Sequence, residues 1–169
     1  MRKNIVLIGM PGSGKTAIGK ELSKKLNMSF VDMDEMIEAK EGKSITEIFK
    51  SGEKYFRKLE TDCAKELGSK NSLVISTGGG VVKRKENIDY LKNNSVVVFI
   101  NRNPDNIVKD VDIQKRPLLC NDINNVYKLY DERITLYKKY CDIEIINDRE
   151  FIDATEKIIQ ELIKGPQRG

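Results

Sequence analysis

A chain of 169 residues, 39% hydrophobic and 33% charged, has the length and composition of one globular domain and excludes disordered and collagen-like classes. Its 30 basic and 26 acidic residues leave a net charge of +4, spread along the chain, so nucleic acid is not an expected partner. No histidine is present, which removes Ser-His triads and His-ligated zinc from consideration.

The three cysteines, Cys63, Cys120 and Cys141, form no CxxC pair and read as packing residues in a reducing compartment. No apolar run approaches the roughly 18 residues of a membrane span, and Arg2-Lys3 leads straight into a strand. A cytoplasmic protein with no membrane partner is expected.

Ile5-Val6-Leu7-Ile8 is a continuous apolar run, as in a strand buried on both faces of a parallel sheet. Gly9-Met-Pro-Gly-Ser-Gly-Lys-Thr16 comes directly after it and matches GxxxxGK[ST]. From Gly14 to about Asn27 the pattern is helical, with Ile18, Leu22 and Leu26 on one stripe. Strand, glycine loop and helix in that order are the context a phosphate-binding loop requires.

The glycines let backbone N–H groups turn toward phosphate oxygens, and the helix N-terminus adds partial positive charge. Gly12, Ser13, Gly14, Lys15, Thr16 and Ala17 are therefore the expected nucleotide-binding residues. Lys15 is expected to reach the β- and γ-phosphates and Thr16 to coordinate Mg²⁺ through its hydroxyl. No Asp-x-x-Gly comes downstream and no Asn-Lys-x-Asp exists for guanine, which favours ATP.

A second strand, Ser29 to Val31, runs into Asp32-Met33-Asp34, and alternation predicts both carboxylates on one side. Asp32 can hold a metal-bound water while Asp34 accepts the proton of an attacking hydroxyl; the alternative is that Asp34 caps the next helix. Ser44 to Glu47 is a capping box, and helices are predicted over about 35 to 68. In the last of them Phe56, Leu59, Cys63, Ala64 and Leu67 define a buried arc that contains Glu60, with Arg57 at its edge. Either the two form a structural ion pair, or Glu60 orients Arg57 to take a substrate carboxylate bidentately.

Leu73 to Ser76 reads as a third strand ended by Gly78-Gly79-Gly80, which is either a flexible turn or a set of N–H groups bared for a ligand. Val96 to Ile100 is a fourth strand. The polar stretch of about 103 to 120, ending in Arg116-Pro117-Leu118-Leu119, lacks periodicity and is either a mobile lid or an ordinary surface loop. At its end Arg116 suits transition-state charge on a γ-phosphate.

A long helix over 122 to 140 carries Val126, Leu129, Tyr130, Leu136, Tyr137 and Tyr140 on one stripe. Arg133 falls inside that stripe and either snorkels from it or grips an anion there. A strand at 143 to 146 and a helix at 151 to 163 complete an alternating β/α pattern, hence an α/β domain over 1–164 with a disordered tail at 165–169.

Taken together, GMPGSGKT at 9, DMD at 32, FRKLE at 56, STGGG at 76, RPLL at 116 and ERITLY at 132 resemble the shikimate kinase family over roughly residues 4 to 150. The resemblance implies a P-loop fold with a five-stranded parallel sheet in the order 2-3-1-4-5, a moving lid, and phosphorylation of the 3-hydroxyl of shikimate by ATP. It implies that Asp34, Arg57, Gly79 and Arg133 hold shikimate, with Asp34 at the reacting hydroxyl and both arginines on the carboxylate; Gly78 and Gly80, bared beside Gly79, are expected to join the substrate site. It further implies that Lys15, Asp34 and Arg116 are catalytic, that Arg116 reaches ATP from the lid, and that Thr16 and Asp32 support one Mg²⁺ per subunit. Arg149 matches a late adenine contact, whereas Lys109 stands where many members carry an arginine near adenine.

Two rival readings remain open on the residues. A kinase for gluconate or a nucleoside monophosphate would share the loop and fold, but a base pocket would favour aromatic residues over Arg57, Arg133 and the glycines. A nucleotide-binding module without catalysis would not be expected to keep Lys15, Asp34 and Arg116. With no coiled-coil heptad, a monomer is the expected state.

Overall fold

The computed structural model describes residues 2–110 and 123–165. Five strands pair in parallel in the order β2-β3-β1-β4-β5: β1 (Asn4–Ile8), β2 (Ser29–Asp32), β3 (Leu73–Ser76), β4 (Ser95–Asn101) and β5 (Ile143–Ile146). Val6 at the centre lies opposite Ile75 of β3 and Val97 of β4. The expected order is thus found, and β1 lies between β3 and β4. Chain crossovers leave in opposite directions from that point, which opens a crevice outside the carboxyl ends of the strands.

The continuous apolar run of β1 is explained by burial on both faces. Ile5 and Leu7 meet Ile18 and Leu22 of α1 (Lys15–Leu26) and Ala154 and Ile158 of α8 (Phe151–Lys164). Val6 and Ile8 face the other layer, which holds Ile37 of α2 (Met33–Glu41), Ile48 of α3 (Ile45–Lys50) and Phe56 and Leu67 of α4 (Glu53–Gly68). Ile88 of α5 (Lys85–Lys92), Ile107 of α6 (Pro104–Asp110) and Tyr137 of α7 (Ile123–Tyr140) complete that layer. Among the described residues no helix is long and apolar enough to cross a membrane.

Helix ends are set by their side chains. The α1 helix stops at Asn27, whose left-handed backbone closes the last turn beside Lys24 and Lys25. Ser44 Oγ accepts the Glu47 N–H at 3.2 Å and starts α3, as its capping pattern predicts. Cys63 is buried against Met36, and burial pushes its thiol up to about 12, so it acts as packing.

Three expectations need correction. The strand containing Asp32 ends there and α2 begins at Met33, so Asp34 lies on a helix and not on an alternating strand. The cap of α2 is Asp32, whose Oδ1 accepts the Glu35 N–H at 3.1 Å, and Asp34 has no capping role. The polar stretch after β4 is not irregular throughout: Asn103 Oδ1 accepts the Asp105 N–H at 2.9 Å, Pro104 takes the first helical position, and Ile107 seats α6 in the core. One buried isoleucine in seven residues is too little apolar pattern to show a period. The rest of the expected lid, with Arg116 and Cys120, and most of the tail lie outside the described residues.

The α5 helix had no counterpart in the sequence pattern, since only Ile88 and Leu91 mark its inner face as apolar. It packs on α4 so closely that a Cβ on Gly68 would stand 2.2 Å from the Tyr90 carbonyl oxygen. That neighbour is backbone and cannot swing aside. Gly68→Ala is therefore expected to lower stability by about 2–3 kcal/mol, measured by urea denaturation, and an unchanged midpoint would refute this account of α4–α5 packing.

Candidate active site

The crevice at the strand ends widens into a cavity of about 810 Å³. On its wall stand Gly12, Gly14, Lys15, Thr16 and Ala17 from the glycine loop and α1, Asp32 and Asp34 from the β2–α2 junction, Arg57 and Glu60 from α4, and Gly78, Gly79 and Gly80 after β3. Residues far apart in sequence thus share one space. Ser13, within the loop, is fully buried and not on the wall, Arg133 is also buried but not on the wall, and Arg149 is exposed after β5.

Lys15 is bent back over the loop that precedes it, and its Nζ donates to the Gly9 and Met10 carbonyls, both at 2.8 Å. Thr16 Oγ1 donates to Asp32 Oδ2 at 3.0 Å. Asp32 thereby spends one oxygen on the α2 cap and the other on Thr16, so the start of α1 and the end of β2 are tied together.

Asp34 differs from Asp32 in having a buried Oδ1 with no hydrogen-bond partner. Burial pushes its carboxyl up to about 6; the Asp32 charge adds to the rise, and Lys15 and Arg57 oppose it. Glu60, 1% exposed, accepts from Arg57 Nη1 at 2.9 Å through Oε1, while its buried Oε2 has no partner. Burial likewise pushes Glu60 up to about 6 despite the opposing Arg57 guanidinium, and Arg133 also pulls it down. Both values lie above the roughly 4 of an unfolded carboxylate. The pair therefore supports the folded chain fully below that range and withdraws the support as pH rises through about 6.

Arg57 is held on two sides, by Glu60 and by Glu53, whose Oε1 accepts from Nε and Nη2 at 3.3 Å. The ion pair read from the helix arc is present, and it leaves the guanidinium on the cavity wall. Arg133 on α7 has a buried Nη1 with no hydrogen-bond partner. An unsatisfied buried guanidinium N–H is costly in a folded chain and is a reason to look for an anion there.

The glycine triplet is explained by space. None of the three has a positive φ. A Cβ on Gly78 would lie 3.0 Å from Asp34 Oδ1 and 3.1 Å from Glu60 Oε2, one on Gly79 2.5 Å from Pro11 Cδ, and one on Gly80 2.3 Å from Arg57 Nη1. At Gly79 and Gly80 the backbone approaches these groups more closely than any side chain allows, whereas at Gly78 a Cβ would fit only if the Asp34 and Glu60 carboxylates gave way slightly. Tyr137, stacked on Phe99, donates its hydroxyl to the Gly79 carbonyl and fixes the turn from behind.

Sequence reasoning missed four contributors: Tyr137 as more than core, Thr77, whose hydroxyl donates to the Leu7 carbonyl at 2.8 Å, and Arg102 and Asn147. Arg102 Nη1 donates to the Gly12 carbonyl at 3.0 Å, and Asn147 Nδ2 to the Ser13 carbonyl at 2.8 Å. Both come directly after the last residue of a strand, at the carboxyl end where the crevice opens, and that position is the one available signal.

A loop that bares N–H groups beside a lysine, facing the carboxylates of Asp34 and Glu60 and the guanidinium of Arg57, with Arg133 buried within reach of the Glu60 charge, suits a phosphate donor and a small anionic acceptor. The family model described as "Shikimate kinase" matches residues 11–164. The chain belongs to the shikimate kinase family. It is 45% identical over 165 residues to a shikimate kinase of Clostridium botulinum (strain Alaska E43 / Type E3), covering 98% of this chain and 100% of that one. Similarity to the shikimate kinase of Clostridium beijerinckii is also 45%, over 163 residues and 96% of each chain. Among solved structures, shikimate kinase from Acinetobacter baumannii in complex with shikimate superposes with a TM-score of 0.92 at 32% identity, covering 100% of this chain and 97% of that one. Membership of the shikimate kinase family agrees with the sheet order and with the strand-loop-helix context seen here.

Proposed function

We propose that this chain transfers the γ-phosphoryl group of ATP to the 3-hydroxyl of shikimate, giving shikimate 3-phosphate and ADP. The observation that carries the reading is the cluster of half-buried Asp34 with buried Arg57 and Glu60 packed around Gly78 to Gly80 beside the phosphate loop, with Arg133 buried close enough to Glu60 to act on its charge. A compact carboxylate with hydroxyls would pair the guanidinium groups of Arg57 and Arg133 and the bared backbone of Gly78, Gly79 and Gly80. Gly12 to Ala17 take the triphosphate, and Lys15 turns from the loop carbonyls to the β- and γ-phosphates.

As the acceptor oxygen bonds to the γ-phosphorus, the bond from that phosphorus to the ADP oxygen breaks, and the hydroxyl proton passes to the Asp34 carboxylate. Arg116 supplies positive charge to the transferring group, and Arg149 meets the nucleoside. The Thr16 hydroxyl beside the Asp32 carboxylate is a hard oxygen pair of the kind Mg²⁺ takes when phosphates and water complete its shell. Bound there, the ion would neutralise phosphate charge.

The test is ADP release with Mg·ATP and shikimate beside gluconate, nucleoside monophosphates and no acceptor. Turnover dependent on shikimate alone is expected, and turnover with another acceptor only would refute the assignment. Because Asp34 must be ionised to take the proton, kcat/KM for shikimate is expected to fall as pH drops through about 6. A profile flat to about pH 5 would remove Asp34 from that role.

A further inference from the structure

The residue directly after β5 sits under the phosphate loop. Asn147 is 6% exposed; its backbone N–H donates to the Asn101 carbonyl at 2.8 Å, which fixes it to the end of β4. Its side chain donates to the Ser13 carbonyl at 2.8 Å. A carbonyl only accepts, so the amide nitrogen faces Ser13, and the amide oxygen is left buried with no partner. Packing alone would not favour a side chain with an unpaired buried oxygen, since that atom costs free energy and an apolar residue would not carry it.

The peptide between Ser13 and Gly14 is planar and trans, so its carbonyl and its N–H point in opposite directions. A donor that holds the Ser13 carbonyl beneath the loop therefore aims the Gly14 N–H above it. That N–H donates to no described residue, whereas the Ser13 N–H is engaged by the Met10 carbonyl at 3.1 Å. The Arg102 bond to the Gly12 carbonyl thus fixes a plane whose N–H is already in use, and the Asn147 bond fixes one whose N–H is open to a ligand. Gly14 itself has φ +98°, and a Cβ there would lie 2.8 Å from Asn147 Nδ2. Both the backbone angle and the approach of Asn147 demand glycine.

We propose that Asn147 is a positioning residue for the phosphate site: by holding the Ser13 carbonyl it presents the Gly14 N–H to the phosphate oxygens of a nucleoside triphosphate. The proposal rests on reading the loop as the ATP site. It assigns Asn147 to the phosphates and not to the base.

The experiment is calorimetric binding of ATP and of inorganic tripolyphosphate to the full chain and to Asn147→Asp and Asn147→Ala, with thermal melting of each. Asparagine to aspartate keeps the shape but turns an acceptor toward the Ser13 carbonyl. Both ligands are expected to weaken by the same factor, about tenfold or more, while the variants remain folded at the assay temperature. Loss of ATP affinity with tripolyphosphate unchanged would place Asn147 on the nucleoside and overturn the proposal, as would unchanged binding of both. Loss of folding in both variants would make Asn147 a structural residue and equally overturn it. Parent protein that binds both ligands without phosphorylating shikimate would refute the proposed reaction and leave this result standing.

Discussion

Asp34→Asn is expected to lower kcat by about 10²–10⁴-fold, with shikimate and ATP still bound. Asparagine preserves the shape and can still accept a hydrogen bond, but it cannot take the hydroxyl proton. Asp34 is suited to that task because it is half-buried, with a buried Oδ1 that has no partner, and is raised to about 6, which keeps it ionised at neutral pH yet basic enough to receive a proton. Asp32, a neighbour on the same wall, has both oxygens committed to the Glu35 N–H and Thr16.

The same raised value carries a second expected result. Ionising Asp34 in the folded chain is unfavourable, so removing the charge should stabilise the protein at pH 7 by on the order of 2 kcal/mol. That gain should vanish below about pH 4, where aspartate is protonated in both states. Steady-state kinetics, and melting curves at about pH 4 and 7, check both parts. A variant with kcat within about tenfold of the parent would show that Asp34 is not the proton acceptor.

How much of this was legible in the sequence depends on what each signal reports. Periodicity reports which way a side chain faces, so the unbroken run of Ile5 to Ile8 showed a strand covered on both sides, and the helical arc of α4 showed that Glu60 and Arg57 point inward. It does not report what lies opposite. The triplet at Gly78 to Gly80 was visible as a turn or a ligand cradle, but its cause is the crowding by Asp34, Glu60, Pro11 and Arg57, which only the fold brings together.

Short elements were the weak point for a related reason. The α5 and α6 helices have few buried apolar positions, so their pattern is shorter than the period it would need to reveal. For α6 the Asn103-Pro104-Asp105 start was a local signal, and it was outweighed by the polarity of the residues beyond it. Asn147 and Tyr137 were illegible in a deeper sense. Each acts on a backbone carbonyl, Ser13 and Gly79, distant in sequence, and no side-chain pattern encodes where a remote carbonyl will stand.

Gly80→Ala is expected to raise KM for shikimate about 10²-fold, with KM for ATP nearly unchanged. The added Cβ would stand 2.3 Å from Arg57 Nη1, 2.4 Å from Nη2 and 2.6 Å from Cζ, so one of the two residues must move. The neighbour is the far end of a side chain and not backbone, unlike the Tyr90 carbonyl that blocks Gly68, and Gly80 itself has φ −95°, which alanine adopts freely. The strain is therefore relieved by driving the guanidinium off Glu60 and out of its place on the cavity wall. Folding survives this, because Arg57 keeps Glu53 at the rim and water can reach what is displaced. Loss should thus concentrate on the acceptor's carboxylate and spare the nucleotide side, where Lys15 and Thr16 bond to Gly9, Met10 and Asp32 and not to Gly80. Separate Michaelis constants for the two substrates decide the matter: equal losses for both would mean that Gly80 supports the cavity as a whole, and an unchanged shikimate constant would remove Arg57 from the carboxylate site.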